Sequence, residues 1–287
     1  MDKLTAKIID GLAVSEHIKN NLRDEISMLV NKGVKPCLAT IIVGSDPPSL
    51  VYINNKQKAA KSVGMRTLDY RLDGNISQHE LITLIEKLNL DSTVHGILIQ
   101  LPLPDQLDQY KVINTVDPRK DVDGLTYINS GLLLNNRTKL VPCTPLGIME
   151  LFKYYEIQLE GTNALIINRS NLVGKPLASL LLKKNSTVTI SHSHTKNLNL
   201  FSQNADIIIT AVGNRDSFIL TSDMVKYGAT IIDVGTNRVN GKLCGDVDFE
   251  LVKEKAGYIT PVPGGVGPMT ICMLLRNTVE ASKAYAK

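Results

Sequence analysis

Residues 163–190, NALIINRSNLVGKPLASLLLKKNSTVTI, decide the fold. Asn163 to Ile167 is a short aliphatic run, the pattern of a strand buried on both faces. A turn follows, and Val173 to Lys183 repeats its apolar residues at helical spacing. Val188 to Ile190 is then a second strand. Strand, helix and strand within so few residues predict a βαβ unit, and therefore a parallel sheet.

The same rhythm extends in both directions. Towards the C-terminus, Ala205 to Thr210 and Ala229 to Val234 are further apolar strands. Upstream, Thr144 reads as an N-cap with Pro145 at the first helical position, opening a helix to about Tyr155. This series predicts a Rossmann-like dinucleotide-binding sheet. A separate series precedes it. Leu38 to Val43 is a buried strand. Ser49 to Val63 is a helix that Ser49 starts and Gly64 ends. Thr67 to Leu72 is a strand, Ser77-Gln78-His79-Glu80 is a capping box opening a helix to about Leu88, and Gly96 to Gln100 is a third strand. The prediction is an α/β protein of two domains, residues 1–143 and 144–269. A last helix, Met269 to about Ala284, returns residues 270–287 to the first domain.

Composition narrows the function classes. The 287 residues are 43% hydrophobic and 21% charged, a globular profile that can bury a core without staples. The net charge is +4 with no run of like charge, and aromatics are 5%, which argues against a nucleic-acid arm or stacking platform. No apolar run approaches the length of a membrane span. Residues 1–10 lack the apolar segment of a secretory signal, so a cytoplasmic protein is expected, or an organellar one whose transit peptide has been removed. Cys37, Cys143, Cys244 and Cys272 form no C-x-x-C pair or zinc spacing and are expected to be buried free thiols. No metal site is expected.

Several segments carry candidate chemistry. Asn168-Arg169-Ser170-Asn171-Leu172-Val173-Gly174 joins a strand to a helix, where free N–H groups and the helix dipole favour a phosphate. Gly174 is its only glycine, so an ordinary turn has much the same look. NAD-preferring sites place an acid about 20 residues on. None occurs from Leu177 to Asn204, and Ser191-His192-Ser193-His194-Thr195 follows the strand instead. With Arg169, these residues suit a 2′-phosphate and favour NADP. Tyr52 and Lys56 share a helix face. There a ring could stack a flat heterocycle, and a desolvated lysine could serve as a base. Gln100 ends a parallel strand, where such sheets bind ligands. Asp121 and Asp123 flank a glycine turn, and a single carboxylate matches paired N–H donors. Pro261 to Gly267, PVPGGVG, implies a fixed turn with close backbone approach to a ligand.

In order along the whole chain, Tyr52 and Lys56, Gln100 in ILIQLPLP, Asp121 to Gly124 in KDVDG, Pro142 to Pro145 in PCTP, and YITPVPGGVGPMT from Tyr258 closely resemble the bifunctional methylenetetrahydrofolate dehydrogenase/cyclohydrolase (FolD) family. The resemblance implies oxidation of 5,10-methylenetetrahydrofolate with NADP, then hydrolysis of the methenyl product to 10-formyltetrahydrofolate. This is one-carbon chemistry that feeds purine, methionine and histidine biosynthesis. It implies catalytic roles for Lys56, Gln100, Asp123 and Tyr52: Lys56 for hydrolysis, Gln100 bonded to Lys56, Tyr52 against the folate rings and Asp123 on the pterin edge. Pro263 and Gly264 join Tyr52, Gln100 and Asp123 as substrate residues, in a turn lining a cleft between domains. Asn168, Arg169, Ser170, Val173, Gly174, Ser193 and Thr236 fall to the cofactor, with Arg169 and Ser193 at the 2′-phosphate. Family members are usually homodimers.

Two departures stand out. Asn168 replaces the family glycine, and since asparagine tolerates positive φ the turn is expected to survive. His194 stands where Arg or Lys is common, which weakens the preference for NADP over NAD. The residues leave three rivals open: a nicotinamide dehydrogenase of another small substrate, a non-enzymatic nucleotide-binding protein, and an enzyme with only one of the two folate activities.

Overall fold

A computed structural model describes residues 5–44 and 47–286, with the backbone alone for 47–51. The chain opens with strand β1 (Lys7–Ile8) and helix α1 (Gly11–Asn31). Asp10 caps α1, its Oδ1 accepting the Ala13 N–H at 3.0 Å. Two compact units follow from the contacts: Glu16–Cys143 with Ile271 onwards, and the segment up to Ser15 with Thr144–Thr270.

The first unit holds a parallel three-stranded sheet in the order β3-β2-β4, built from β2 (Cys37–Val43), β3 (Arg66–Leu72) and β4 (Gly96–Ile99). β2 is buried at all seven positions, which is why its sequence is uninterrupted aliphatic. Its connections are α2 (Pro47–Ser62) and α3 (Gln78–Leu90). α3 starts with the predicted capping box, Glu80 N–H to Ser77 Oγ at 3.2 Å and Ser77 N–H to Glu80 Oε2 at 3.0 Å. α2 starts at Pro47, so Ser49 lies inside the helix and does not cap it; its side chain is outside the described residues. α4 (Gln109–Thr115) and α5 (Tyr127–Leu134) complete this part. Leu81, Ile85 and Leu88 of α3 pack on Ala39, Ile41, Ile97 and Ile99 to form the core.

The second unit contains α6 (Cys143–Tyr154), β5 (Asn163–Ile167), α7 (Gly174–Leu182), β6 (Thr187–Ser191), α8 (Leu198–Ser202), β7 (Ile207–Thr210) and β8 (Thr230–Asp233). The hairpin β9 (Asn237–Val239) and β10 (Lys242–Cys244), α9 (Phe249–Val252), β11 (Tyr258–Ile259) and α10 (Val266–Ser282) follow. Its six-stranded sheet is parallel throughout, in the order β1-β11-β8-β7-β5-β6. The doubly wound sheet expected from residues 163–190 is therefore present.

Three expectations change. β1 pairs with β11, Lys7 opposite Tyr258 and Ile8 opposite Ile259, so the N-terminal strand joins the six-stranded sheet and not residues 16–143. Two residues are too short to reveal an apolar run, and the edge of β11 recruits them. α6 starts at Cys143, so Thr144 is no cap; its hydroxyl meets Thr270 Oγ1 at 2.9 Å. Cys244 is only partly buried, unlike Cys37, Cys143 and Cys272. From Ile271 onwards α10 groups with the three-stranded unit. Among the described residues no helix is long and apolar enough to cross a membrane, and no cluster of three His, Cys, Asp or Glu could hold a metal.

Candidate active site

In the three-stranded unit, α2 places Tyr52 and Lys56 one turn apart, and Lys56 Nζ lies 5.0 Å from the Tyr52 ring centroid. Lys56 is 7% exposed and Tyr52 38%. Gln100 leaves the end of β4 with its N–H on the Ile41 carbonyl, 2.8 Å. Its Nε2 donates to the Leu101 carbonyl at 2.8 Å. That contact turns Oε1 towards Lys56, which donates to it at 3.1 Å. Strand end, amide orientation and lysine are thus fixed in sequence.

The two acids of KDVDG have separate jobs. Asp121 is buried and accepts the N–H groups of Leu125 (3.1 Å) and Thr126 (2.8 Å) and the Asn129 amide (2.8 Å). It braces the turn. Asp123 is half-buried and interacts with Lys56 and with the Cys143 thiol. Cys143, buried at the start of α6, also reaches the Val122 carbonyl at 3.4 Å. Burial pushes the Asp123 carboxyl above the ordinary range, and the Lys56 charge only partly offsets it. Burial pulls the Lys56 ammonium down against the opposing pull of Asp123. Burial, then the Asp123 charge, lifts the Cys143 thiol well above its usual value, and the same two causes raise Tyr52. The site holds a lysine driven towards its neutral form beside a thiol that stays protonated.

A second buried lysine shows that burial alone does not make a site. Lys120 is 1% exposed, yet its Nζ donates to the carbonyls of Leu88 (2.9 Å) and Asp91 (2.7 Å). It ties off the end of α3.

In the six-stranded unit, the turn from β5 to α7 is held from within. Asn168 Oδ1 accepts Ser170 N–H (2.8 Å), Ser170 Oγ (2.7 Å) and Gly174 N–H (3.0 Å), and its Nδ2 donates to the Ala211 carbonyl (2.7 Å). Asn168 is not at positive φ, contrary to expectation; its side chain staples the turn. The N–H groups of Val173 and Gly174, expected to be free for a phosphate, are already bonded, Val173 to Ser170 Oγ at 3.1 Å. A Cβ on Gly174 would collide with the Asn168 carbonyl, which explains the one glycine. Arg169 is exposed, as are Ser193 and His194 beyond β6. His192 is bound into its loop, accepting His194 N–H at 3.2 Å and donating its N–H to Thr195 Oγ1 at 2.9 Å.

Thr236 is exposed after β8. Beneath it lie two buried carboxylates that sequence reasoning missed. Asp233 accepts N–H groups from Gly235 (2.9 Å), Asp246 (3.0 Å) and Val247 (3.0 Å). Asp246 accepts Val212 N–H (2.7 Å), Gly213 N–H (3.0 Å) and the Asn237 amide (2.9 Å). Burial and the charge of Asp246 raise Asp233 to about 6, against the opposing hydrogen bonds. Asp233 in an otherwise apolar strand was the available signal. Pro263 and Gly264 also lie in this unit, between β11 and α10, with Gly264 at φ 107°. Gly265 is pressed against Gly11 and Pro261, so two of the turn's glycines answer to backbone geometry and packing. Tyr52, Lys56, Gln100 and Asp123 are thus gathered in one unit, and the cofactor candidates with Pro263 and Gly264 in the other.

Two family models match the chain. Residues 9–123 match the family model "Tetrahydrofolate dehydrogenase/cyclohydrolase, catalytic domain", and residues 142–286 match its "NAD(P)-binding domain". The bifunctional protein FolD of Nitrosopumilus maritimus is 53% identical over 279 residues, 97% of each chain. The crystal structure of the Campylobacter jejuni bifunctional enzyme superposes with a TM-score of 0.95 at 48% identity, covering 98% of this chain and 99% of that one. The Trypanosoma brucei dehydrogenase-cyclohydrolase, solved with NADP and an inhibitor, gives 0.93 at 36% identity over 99% of both chains. The chain belongs to the tetrahydrofolate dehydrogenase/cyclohydrolase family.

Proposed function

We propose that this protein oxidises 5,10-methylenetetrahydrofolate to 5,10-methenyltetrahydrofolate with NADP and hydrolyses the product to 10-formyltetrahydrofolate. The observation that carries this is the buried Lys56, held by Gln100 at 3.1 Å beside Tyr52 and Asp123. A dehydrogenase of another substrate would leave that cluster without a purpose, and a binding protein would not need its lysine desolvated.

The cofactor's fit rests on the six-stranded unit. The stapled β5–α7 turn leaves the Arg169 guanidinium in solvent, Ser193 and His194 are exposed beyond β6, and no acid stands between Leu177 and Asn204. That donor set suits a 2′-phosphate. When bound, NADP would supply its oxidised nicotinamide as the acceptor for the hydride of the methylene carbon. Arg169 and Ser193 would hold the 2′-phosphate. Asn168, Ser170, Val173 and Gly174 would shape the turn against the pyrophosphate, and Thr236 would line the same site.

Tyr52 stacks on the folate ring system and Asp123 accepts from the pterin edge, with Pro263 and Gly264 as further substrate contacts. Hydride loss needs alignment more than proton transfer. Hydrolysis is different, because water adding to the methenyl carbon must lose a proton. Neutral Lys56, oriented by Gln100, takes that proton. The adduct then opens: its C–N5 bond breaks, the hydroxyl loses its proton to become the formyl carbonyl on N10, and N5 takes up a proton. We place the enzyme in the cytoplasm as a homodimer, supplying one-carbon units for purine, methionine and histidine synthesis.

The test is turnover of 5,10-methylenetetrahydrofolate with NADP and NAD in parallel, with a second trace for loss of methenyltetrahydrofolate. Activity in both traces with NADP is expected. No turnover by folded protein would move the reading to nucleotide binding alone, and turnover with NAD alone would overturn the cofactor.

A further inference from the structure

Two loops meet beside Lys56, one carrying Asp123 and the other leading to Cys143. Among the described residues no backbone hydrogen bond joins them. They are nonetheless packed tightly: a Cβ on Gly124 would press on the Leu140 carbonyl and the Pro142 nitrogen, both at 2.9 Å. The polar links are the Cys143 thiol, 3.4 Å from the Val122 carbonyl, and a side chain of α10. Asn277, 2% exposed, donates through Nδ2 to the Val122 carbonyl at 2.8 Å and to the Val141 carbonyl at 2.8 Å, with Cys143 Sγ at 3.8 Å. Val122 precedes Asp123, and Val141 lies two residues before Cys143.

We propose that Asn277 is a positioning residue for this site, its amide clamping the Asp123 loop to the Cys143 loop through two backbone carbonyls. Among the described residues its hydrogen bonds go to these carbonyls and not to Tyr52, Lys56 or Gln100, so it acts through the loops.

Three features support the assignment. The two N–H bonds of one amide span both loops and tie their backbones together. The helix is seated at that level: Gly96 of β4 has no room for a Cβ, which would lie 2.6 Å from Val122 Cγ1 and 3.1 Å from Thr278 Oγ1. The Asp123 loop is further fixed to β4 by Ile97 N–H on the Lys120 carbonyl at 2.8 Å. On the side facing Cys143, Asn277 acts beside the thiol's own contact with the Val122 carbonyl. Its removal leaves the Val141 carbonyl without its donor and the Val122 carbonyl with the Cys143 thiol alone. The gap then opens to water, and the burial that raises Asp123 and Cys143 is relieved. The inference rests on the folate reading of Asp123.

The test compares wild type with Asn277→Leu, which has similar bulk and no donor, and with Asn277→Ser, which keeps one donor. For Asn277→Leu the KM for methylenetetrahydrofolate is expected to rise about tenfold or more. The KM for NADP should stay within about twofold. The acid limb of the hydrolysis profile should move, with Asn277→Ser intermediate. Independently of turnover, alkylation of Cys143 by iodoacetamide, followed by peptide mass spectrometry, should speed about tenfold in the leucine variant. A role in stability alone would lower the melting temperature and scale activity while leaving the profile and both KM values unmoved. That result, or unchanged Cys143 alkylation, overturns the proposal. If the leucine variant does not fold, the serine variant carries the same readouts. Absence of wild-type turnover would strike at the proposed reaction, and the alkylation arm would still decide on Asn277.

Discussion

In the three-stranded unit the groups assigned to chemistry press on one another out of water. Burial is the largest cause that lowers the pKa of Lys56 and raises those of Asp123 and Cys143. In the six-stranded unit the polar groups assigned to the cofactor, Arg169, Ser193 and His194, stand in solvent. Its buried carboxylates, Asp233 and Asp246, accept backbone N–H groups. Lys120 and Asp121 hold backbone in the first unit as Asp233 and Asp246 do in the second, so the contrast lies in where the proposed reactive and cofactor groups stand. Substitutions in the first should therefore change rates and pH profiles, and those in the second should change affinity.

Lys56→Met is the largest expected break in this contrast. It removes the buried amine and keeps an apolar stem, so the fold should survive while hydrolysis falls by about 10³-fold. Methenyltetrahydrofolate hydrolysis, with circular dichroism as the control for folding, checks it. A normal rate would remove Lys56 from the mechanism. Next is Arg169→Ala. Loss of a charge-assisted contact of about 1.5–3 kcal/mol should raise the KM for NADP by about tenfold to a hundredfold. The KM for NAD should move less than about threefold. Equal losses with both cofactors would show that Arg169 does not read the 2′-phosphate. The smallest effect is expected for His194→Arg, an exposed cation worth at most about 1 kcal/mol. NADP affinity should rise up to about fivefold at low salt and lose the gain as ionic strength increases. Titration at two salt concentrations decides it.

Much of the architecture was legible because buried parallel strands are written as uninterrupted aliphatic runs; β2, β5, β7 and β8 were all visible this way. Elements that lack such a run were not. β1 and β11 have two residues each and exist through pairing. Helix α1 carried usable signals that went unread, Asp10 as a cap and Val14, Leu22, Ile26 and Leu29 at helical spacing. The β9–β10 hairpin also had a signal in Asn240-Gly241, both at positive φ. At the site, Tyr52 and Lys56 were legible from their spacing, and the lysine–Gln100 contact from the family resemblance. Asn168 was misread because its role depends on where its side chain points. Cys143 and Asn277 were invisible for a simpler reason. They act across 21 and 155 residues of chain on the Val122 carbonyl, and backbone carbonyls leave no mark in a sequence.

The claim at the centre is that burial and Asp123 together set the charge of Lys56. The pH dependence of kcat/KM for methenyltetrahydrofolate hydrolysis, corrected for the uncatalysed rate, tests it in wild type and Asp123→Asn. Neutral Lys56 is the active form, so the rate should fall as pH drops through its lowered pKa. Asp123 opposes that lowering, and its removal should carry the acid limb to still lower pH. An acid limb that stays in place in Asp123→Asn, or moves upward, would contradict the account.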